Sequence, residues 1–188
     1  MISWPATHRH ALTAAPSGLA LVQELLNTSA ARNDLLDDIP GALEWAETVL
    51  DSYAQTTHRD RLEVTVGAAD VEALRALRTD IFSVINGSTE GQGPDVPKSV
   101  TLGFSIADGN VDLHPRGDGW RAIAAAVYLE CFIAQQDGTW RRLKTCANPR
   151  CAAAFYDQSR NNSGVWHDVK VCGNAANLRK SRERRRLA

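Results

Sequence analysis

No apolar stretch of the 188-residue sequence approaches the ~20 residues that a helix needs to cross a bilayer, which excludes a helical membrane span. Proline and glycine are sparse, at 7 and 13 residues, too few for wholesale disorder. The opening residues, MISWPATHRHALTAAPSG, follow His8, Arg9 and His10 with no continuous apolar segment of about 7–15 residues, so no secretory signal is read there and a cytoplasmic protein is expected. Internal repeats and low-complexity tracts are absent. So are a nucleophile elbow, a phosphate-binding loop and a paired-carboxylate motif. His58 and His114 stand alone and are read as structural or exposed, so an enzyme is not expected.

What the chain does hold is enough apolar material, 44%, for one core at a length where roughly 70% of the unfolded surface can be buried. One domain, or one with a small appendage, follows. The net charge of −1 conceals a division. Residues 141–188 carry 12 Lys or Arg against 3 acids, and residues 1–140 carry 9 against 19. A basic arm on an acidic body is a pointer to a polyanionic partner, and its alternative is a solvated charged tail.

Apolar residues recur at helical spacing in three early segments: Leu19, Val22, Leu25 and Leu26; Leu43, Ala46, Val49, Leu50 and Tyr53 after Pro40; and Leu74, Leu77, Ile81 and Ile85 up to Asn86-Gly87. Residues 87–99 read as a loop. Strand alternation then places Leu102, Phe104 and Ile106 before the primed turn Asp108-Gly109, with Val111 and Leu113 after it. Pairing Ala107 with Asn110 puts every large apolar side chain on one face, which is expected to pack on the helices. Asp118 is expected to cap a helix whose apolar face carries Trp120, Ile123, Ala124, Val127 and Cys131. Cys131 is read there as a small core hydrophobe. The expected fold class is α+β: a flexible lead-in over residues 1–17, a mainly helical body with one β-hairpin over 18–139, and a small metal-stabilised module over 140–188 ending in a basic helix.

The remaining cysteines are paired by spacing. Cys146 and Cys151 bracket the turn Asn148-Pro149, and after fifteen residues His167 and Cys172 form a second pair with the same gap. Two close ligand pairs joined by a loop suit tetrahedral zinc, and four protein ligands leave no open position, so one structural Zn2+ ion is expected. The module has few large apolar residues, and metal binding on the order of 10 kcal/mol replaces a core. Unrelated buried thiols are the alternative. Phe155 and Trp166 are expected to pack beside the metal. Beyond Cys172, Asn174 is a candidate N-cap for a helix bearing Arg179, Lys180, Arg182, Arg184, Arg185 and Arg186. Like charges at helical spacing repel unless a polyanion neutralises them, so this helix suits DNA phosphates, with Arg160, Asn161 and Lys170 of the same module as further contacts.

The run Cys146, Cys151, Phe155, Asp157, Ser159-Arg160-Asn161, Trp166 and Cys172-Gly173-Asn174 with the terminal Arg cluster resembles the CGNR-type zinc finger. His167 stands where that family has Cys, and Ala175 stands where it has its eponymous Arg. More loosely, Leu25-Leu26-Asn27-Thr28, Arg32, Asp34-Leu35-Leu36, Trp45 and Leu74-Arg75-Ala76-Leu77-Arg78 are similar to the ABATE domain of stress-induced transcription regulators of bacteria. The resemblance implies a regulator whose N-terminal domain senses a small molecule or stress signal and whose finger binds DNA. A zinc-dependent module docking an acidic protein surface is the second reading. A two-fold dimer is usual for a regulator, but no heptad seam argues for one here.

Overall fold

Buried polar side chains on a single short helix organise this molecule. The computed structural model describes residues 1–29, 33–87 and 99–187, without the side chains of Lys180, Ser181, Glu183 and Leu187. Arg32, most of the loop expected over 87–99 and the side-chain assignment of Lys180 therefore lie outside the described residues. The order is α1 (Pro5–His8), α2 (Leu19–Asn27), α3 (Ile39–Thr57), α4 (Ala68–Ile85), β1 (Thr101–Ala107), β2 (Asn110–Arg116), α5 (Trp120–Gln136), a 3-10 turn (Trp140–Arg142), β3 (Leu143–Thr145), β4 (Ala154–Tyr156), a π turn (Val169–Gly173) and α6 (Asn174–Leu187). About half of the chain is helical, with two antiparallel two-stranded sheets, which agrees with the expected α+β class. No helix of the described residues is long and apolar enough to cross a membrane.

The apolar spacing of α2 suggests a core-facing amphipathic helix, yet every residue from Leu19 to Asn27 is buried, the polar ones included. Its polar face is turned to backbone that needs partners. Glu24 accepts the N–H groups of Ala6 at 2.7 Å and Thr7 at 2.8 Å and the indole of Trp45 at 3.3 Å. Burial lifts the Glu24 carboxyl above its ordinary range, and these donors pull it part of the way back. Part of residues 1–17, expected as a flexible lead-in, is accordingly packed: Trp4 is 3% exposed, and Ala6 and Thr7 are fully buried. Their short helix has no periodicity to read, because a partner distant in sequence supplies its N-terminal acceptors. Glu24→Gln turns an N–H toward one of these donors. It is expected to cost about 1–3 kcal/mol, read as a lower denaturation midpoint; a midpoint equal to wild type would refute the role.

Several described residues among those quoted for the second resemblance also meet in space. Arg78 forks onto the Asp34 carboxylate, with both contacts at 2.7 Å, and donates to Thr28 Oγ1 at 2.7 Å, while Arg75 Nε donates to the Leu36 carbonyl at 2.7 Å. Burial opposes the Asp34 charge, but the Arg78 guanidinium outweighs it and holds the carboxyl below its usual range.

Asp70 joins two helix starts. One carboxylate oxygen accepts the Gly67 N–H at 2.8 Å, and the other accepts the Trp120 N–H at 3.0 Å. The cap expected from Asp118 is thus supplied by α4 instead. Gly119, at φ +54, brings its backbone so close to Asp70 that a Cβ would collide with the carboxylate. Cys131 is buried, as expected, and burial pushes its thiol up to about 12.

The hairpin has the expected register, with Ala107 opposite Asn110, Ile106 opposite Val111 and Phe104 opposite Leu113. Its packing differs. Only the root is covered, where Pro115 is buried and Leu102 and Leu113 are half-buried; Phe104, Ile106 and Val111 are 70%, 80% and 64% exposed. The arm outruns the helices beneath it.

Candidate metal centre

β3 runs directly into Cys146, whose N–H donates to the Ala153 carbonyl at 2.8 Å and so continues the β3–β4 pairing. The Asn148-Pro149 turn closes when the Cys151 N–H donates to the Asn148 carbonyl at 2.8 Å. A loop then carries the chain back, where Ala147 N–H donates to the Val165 carbonyl at 2.9 Å. Asp168 accepts the Val171 N–H at 3.0 Å and caps the π turn that holds Cys172. This turn continues without a break into α6. Asn174 is therefore not the N-cap; the helical path starts before Cys172, at the metal cluster itself.

One sulfur or nitrogen from each of Cys146, Cys151, His167 and Cys172 lies within 4.8 Å of all the others. His167 Nδ1 is 3.3 Å from Cys151 Sγ and 3.5 Å from Cys172 Sγ. A tetrahedron with Zn–S of about 2.3 Å and Zn–N of about 2.1 Å has S···N edges of about 3.6 Å, close to these two His167 distances. These four residues can hold one zinc ion. Burial lowers the His167 pKa, which keeps the imidazole neutral and able to ligate. Burial first, and then the opposing sulfurs of Cys146 and Cys172, push the Cys151 thiol up to about 12, with the Ala153 backbone partly offsetting them. A cation must displace those protons on binding. Free Cys131 stays outside the cluster.

A polar frame surrounds the donors. Asn148 Nδ2 donates to Cys172 Sγ at 3.3 Å, and its Oδ1 accepts from Arg179 Nη2 at 2.8 Å. Arg179, expected on DNA, is thus drawn back onto the knuckle. The loop between the ligand pairs is built on Asp157, which accepts Lys144 Nζ at 2.7 Å and the N–H groups of Ser159 at 2.9 Å and Gly164 at 2.7 Å. Burial works against the Asp157 charge, but these donors prevail and hold it well below the usual carboxylate range. Arg160 and Asn161 stand exposed on this loop, Lys170 on the π turn, and Arg182, Arg184, Arg185 and Arg186 on α6. Phe155 is buried and Trp166 lies against Gly173, as expected of shielding groups.

The body reaches the site from two directions. Asn27 of α2 brackets Ala154 of β4, donating from Nδ2 to its carbonyl at 3.0 Å and accepting its N–H at 2.8 Å, and Gln23 adds a contact to the same carbonyl at 3.2 Å. The His10 ring stands edge-on to His167 with centroids 6.1 Å apart, and its buried Nε2 has no hydrogen-bond partner. Beside it, a cleft of about 370 Å³ opens between residues 11–13 and the finger, lined by Thr13, Tyr156, Ser159, Trp166 and His167 among others. None of Asn27, Gln23, His10, Lys144 and Asn148 is signalled by metal-ligand spacing, because each acts on backbone or on a ligand rather than as one. Residues 142–185 match the model of the CGNR zinc finger family, so a zinc-binding finger of this type is present. Among curated proteins, none matches the chain.

Proposed function

We propose that the protein is a DNA-binding transcription regulator in which zinc aims a basic helix at the phosphate backbone. The observation that carries this reading is the unbroken run from Cys172 into α6, which exposes Arg182, Arg184, Arg185 and Arg186. A helix tied to the cluster at its first turns, and held again by the Arg179 to Asn148 contact, carries those guanidinium groups around its outer end, at a fixed place relative to the metal. The acidic body repels DNA elsewhere and restricts contact to this end. Arg160, Asn161 and Lys170 lie exposed on the same module and add contacts. With all four donors supplied by the chain, no coordination position is left for a substrate, so the ion has a structural role and the protein acts by binding. Residues 18–139 serve as the ABATE-type body that senses a small-molecule or stress signal.

Arg phosphate contacts release counterions, so duplex binding is expected to fall about a hundredfold between ~50 and ~200 mM salt if about four phosphates are touched. Fluorescence anisotropy with the zinc-loaded protein reads this directly. The combined change Arg184→Ala, Arg185→Ala and Arg186→Ala is expected to reduce both the affinity and the salt slope. No binding to any duplex at low salt overturns the proposal. It leaves the second reading, favoured by the charge of the body, in which the finger docks an acidic protein surface.

A further inference from the structure

The hairpin arm has one protected edge and one open edge. With Asp108 at φ +51 and Gly109 at φ +79, the two-residue turn is of the primed type, in which Ala107 and Asn110 exchange both hydrogen bonds. Alternation along the ladder then turns the N–H and C=O of Leu102, Phe104 and Ile106 outward from β1, and those of Val111, Leu113 and Pro115 outward from β2. The β2 edge is closed: Pro115 has no N–H, and the outward Leu113 carbonyl accepts Arg59 Nη1 at 3.0 Å. The β1 edge has neither device. Its sequence, TLGFSIA, holds no charge and no proline, and among the described residues only β2 pairs with it. Natural sheets blunt such edges with charge, proline or a cover.

We propose that β1 pairs antiparallel with β1 of a second copy of the chain across a two-fold axis at Phe104. The strand is self-complementary in that register. Phe104 faces its own copy and Leu102 faces the second copy's Ile106, so both apolar rows stay on one face of a four-stranded sheet. Exposed Phe104 and Ile106 then gain cross-strand neighbours, Phe104 and Leu102 of the other copy, while Val111 on β2 stays one strand away from the seam. A two-stranded hairpin is marginal alone, and doubling it supplies the missing neighbours. Nucleic acid is disfavoured as the occupant, because the distal arm carries Asp108 and Asp112 and no Lys or Arg before Arg116. A sequence with no charge is likewise suited to its own copy, and the net charge of −1 sets up little mutual repulsion.

Sedimentation equilibrium on the full zinc-loaded chain tests this, with about 100 µM as the upper concentration. The wild type is expected at twice the 20.5 kDa chain mass. Phe104→Lys and Phe104→Glu each place like charges on the axis and are expected to be monomeric, while their equimolar mixture regains the dimer. Phe104 is mostly solvent-exposed, so both variants keep the fold, checked by unchanged zinc content. A monomeric wild type overturns the proposal. A dimer that survives Phe104→Lys, or a mixture that stays monomeric, overturns it equally.

Discussion

Cys146→Ser is expected to take bound zinc from one ion per chain to none and to unfold residues 141–188. The serine hydroxyl is a poor ligand, and the remaining Cys151, His167 and Cys172 belong to a cluster whose geometry was set by four donors. Structural zinc contributes on the order of 10 kcal/mol, far more than the small apolar content of this segment supplies. The consequence reaches the body. Ala154 leaves Asn27 and Gln23 when β4 melts, and two buried amides lose partners. Metal analysis after gel filtration reads the first effect. Trypsin reads the second, because the 12 Lys and Arg of residues 141–188 become cleavable. Chelator is expected to reproduce both. His167→Cys keeps a thiolate at the fourth corner and is expected to retain the ion. Since burial raises the Cys151 thiol, its proton must leave on binding, and zinc affinity is expected to fall as pH falls. A Cys146→Ser protein with one zinc and unchanged trypsin resistance would show that the cluster is not the site.

The parts of this molecule that were legible in its sequence are those fixed by near neighbours. The spacing of Cys146, Cys151, His167 and Cys172 names the ligands because each pair closes over its own turn. Asp108-Gly109 sets the hairpin register because a two-residue primed turn permits one pairing. What the hairpin packs against is another matter. The alternation of Phe104, Ile106, Val111 and Leu113 requires a common face, but not that the chain's own helices reach it. Helix starts show the same limit: Asp118 and Asn174 have suitable side chains in suitable places, yet Asp70 and Asp168 arrive with better geometry. The polar face of α2 was the least legible. Glu24, Gln23 and Asn27 look like a solvated surface, and only the fold reveals that their partners lie 18, 131 and 127 residues away.

Asn27 is the residue through which body and finger are joined, and two substitutions separate its polar role from its bulk. Its amide imitates a neighbouring strand, accepting the Ala154 N–H at 2.8 Å and donating to the Ala154 carbonyl at 3.0 Å. Asn27→Ala leaves that N–H buried and unpaired, while Gln23 still serves the carbonyl, so a loss of about 2 kcal/mol is expected at any pH. Asn27→Asp keeps the acceptor but sets a carboxylate oxygen against the Ala154 carbonyl in a fully buried place. Burial and the facing carbonyl outweigh the one N–H that the charged form still accepts, so the introduced carboxyl takes a pKa above its unfolded value of about 3.9. A folded-state pKa raised above the unfolded one gives stability that is present at low pH and lost as pH rises through the folded value. Protonated, the group donates to the carbonyl much as the amide did. The gap between Asn27→Asp and wild type is therefore expected to widen with pH up to that raised pKa, whereas the Asn27→Ala gap stays flat. Denaturant titrations of zinc-saturated protein from about pH 6 to 8 read both gaps. Equal stability of Asn27→Asp and wild type at the upper end, or parallel behaviour of the two variants, would mean that the finger does not hang on this amide. Because unfolding of β4 and loss of the ion are linked, both variants are also expected to bind zinc more weakly than wild type.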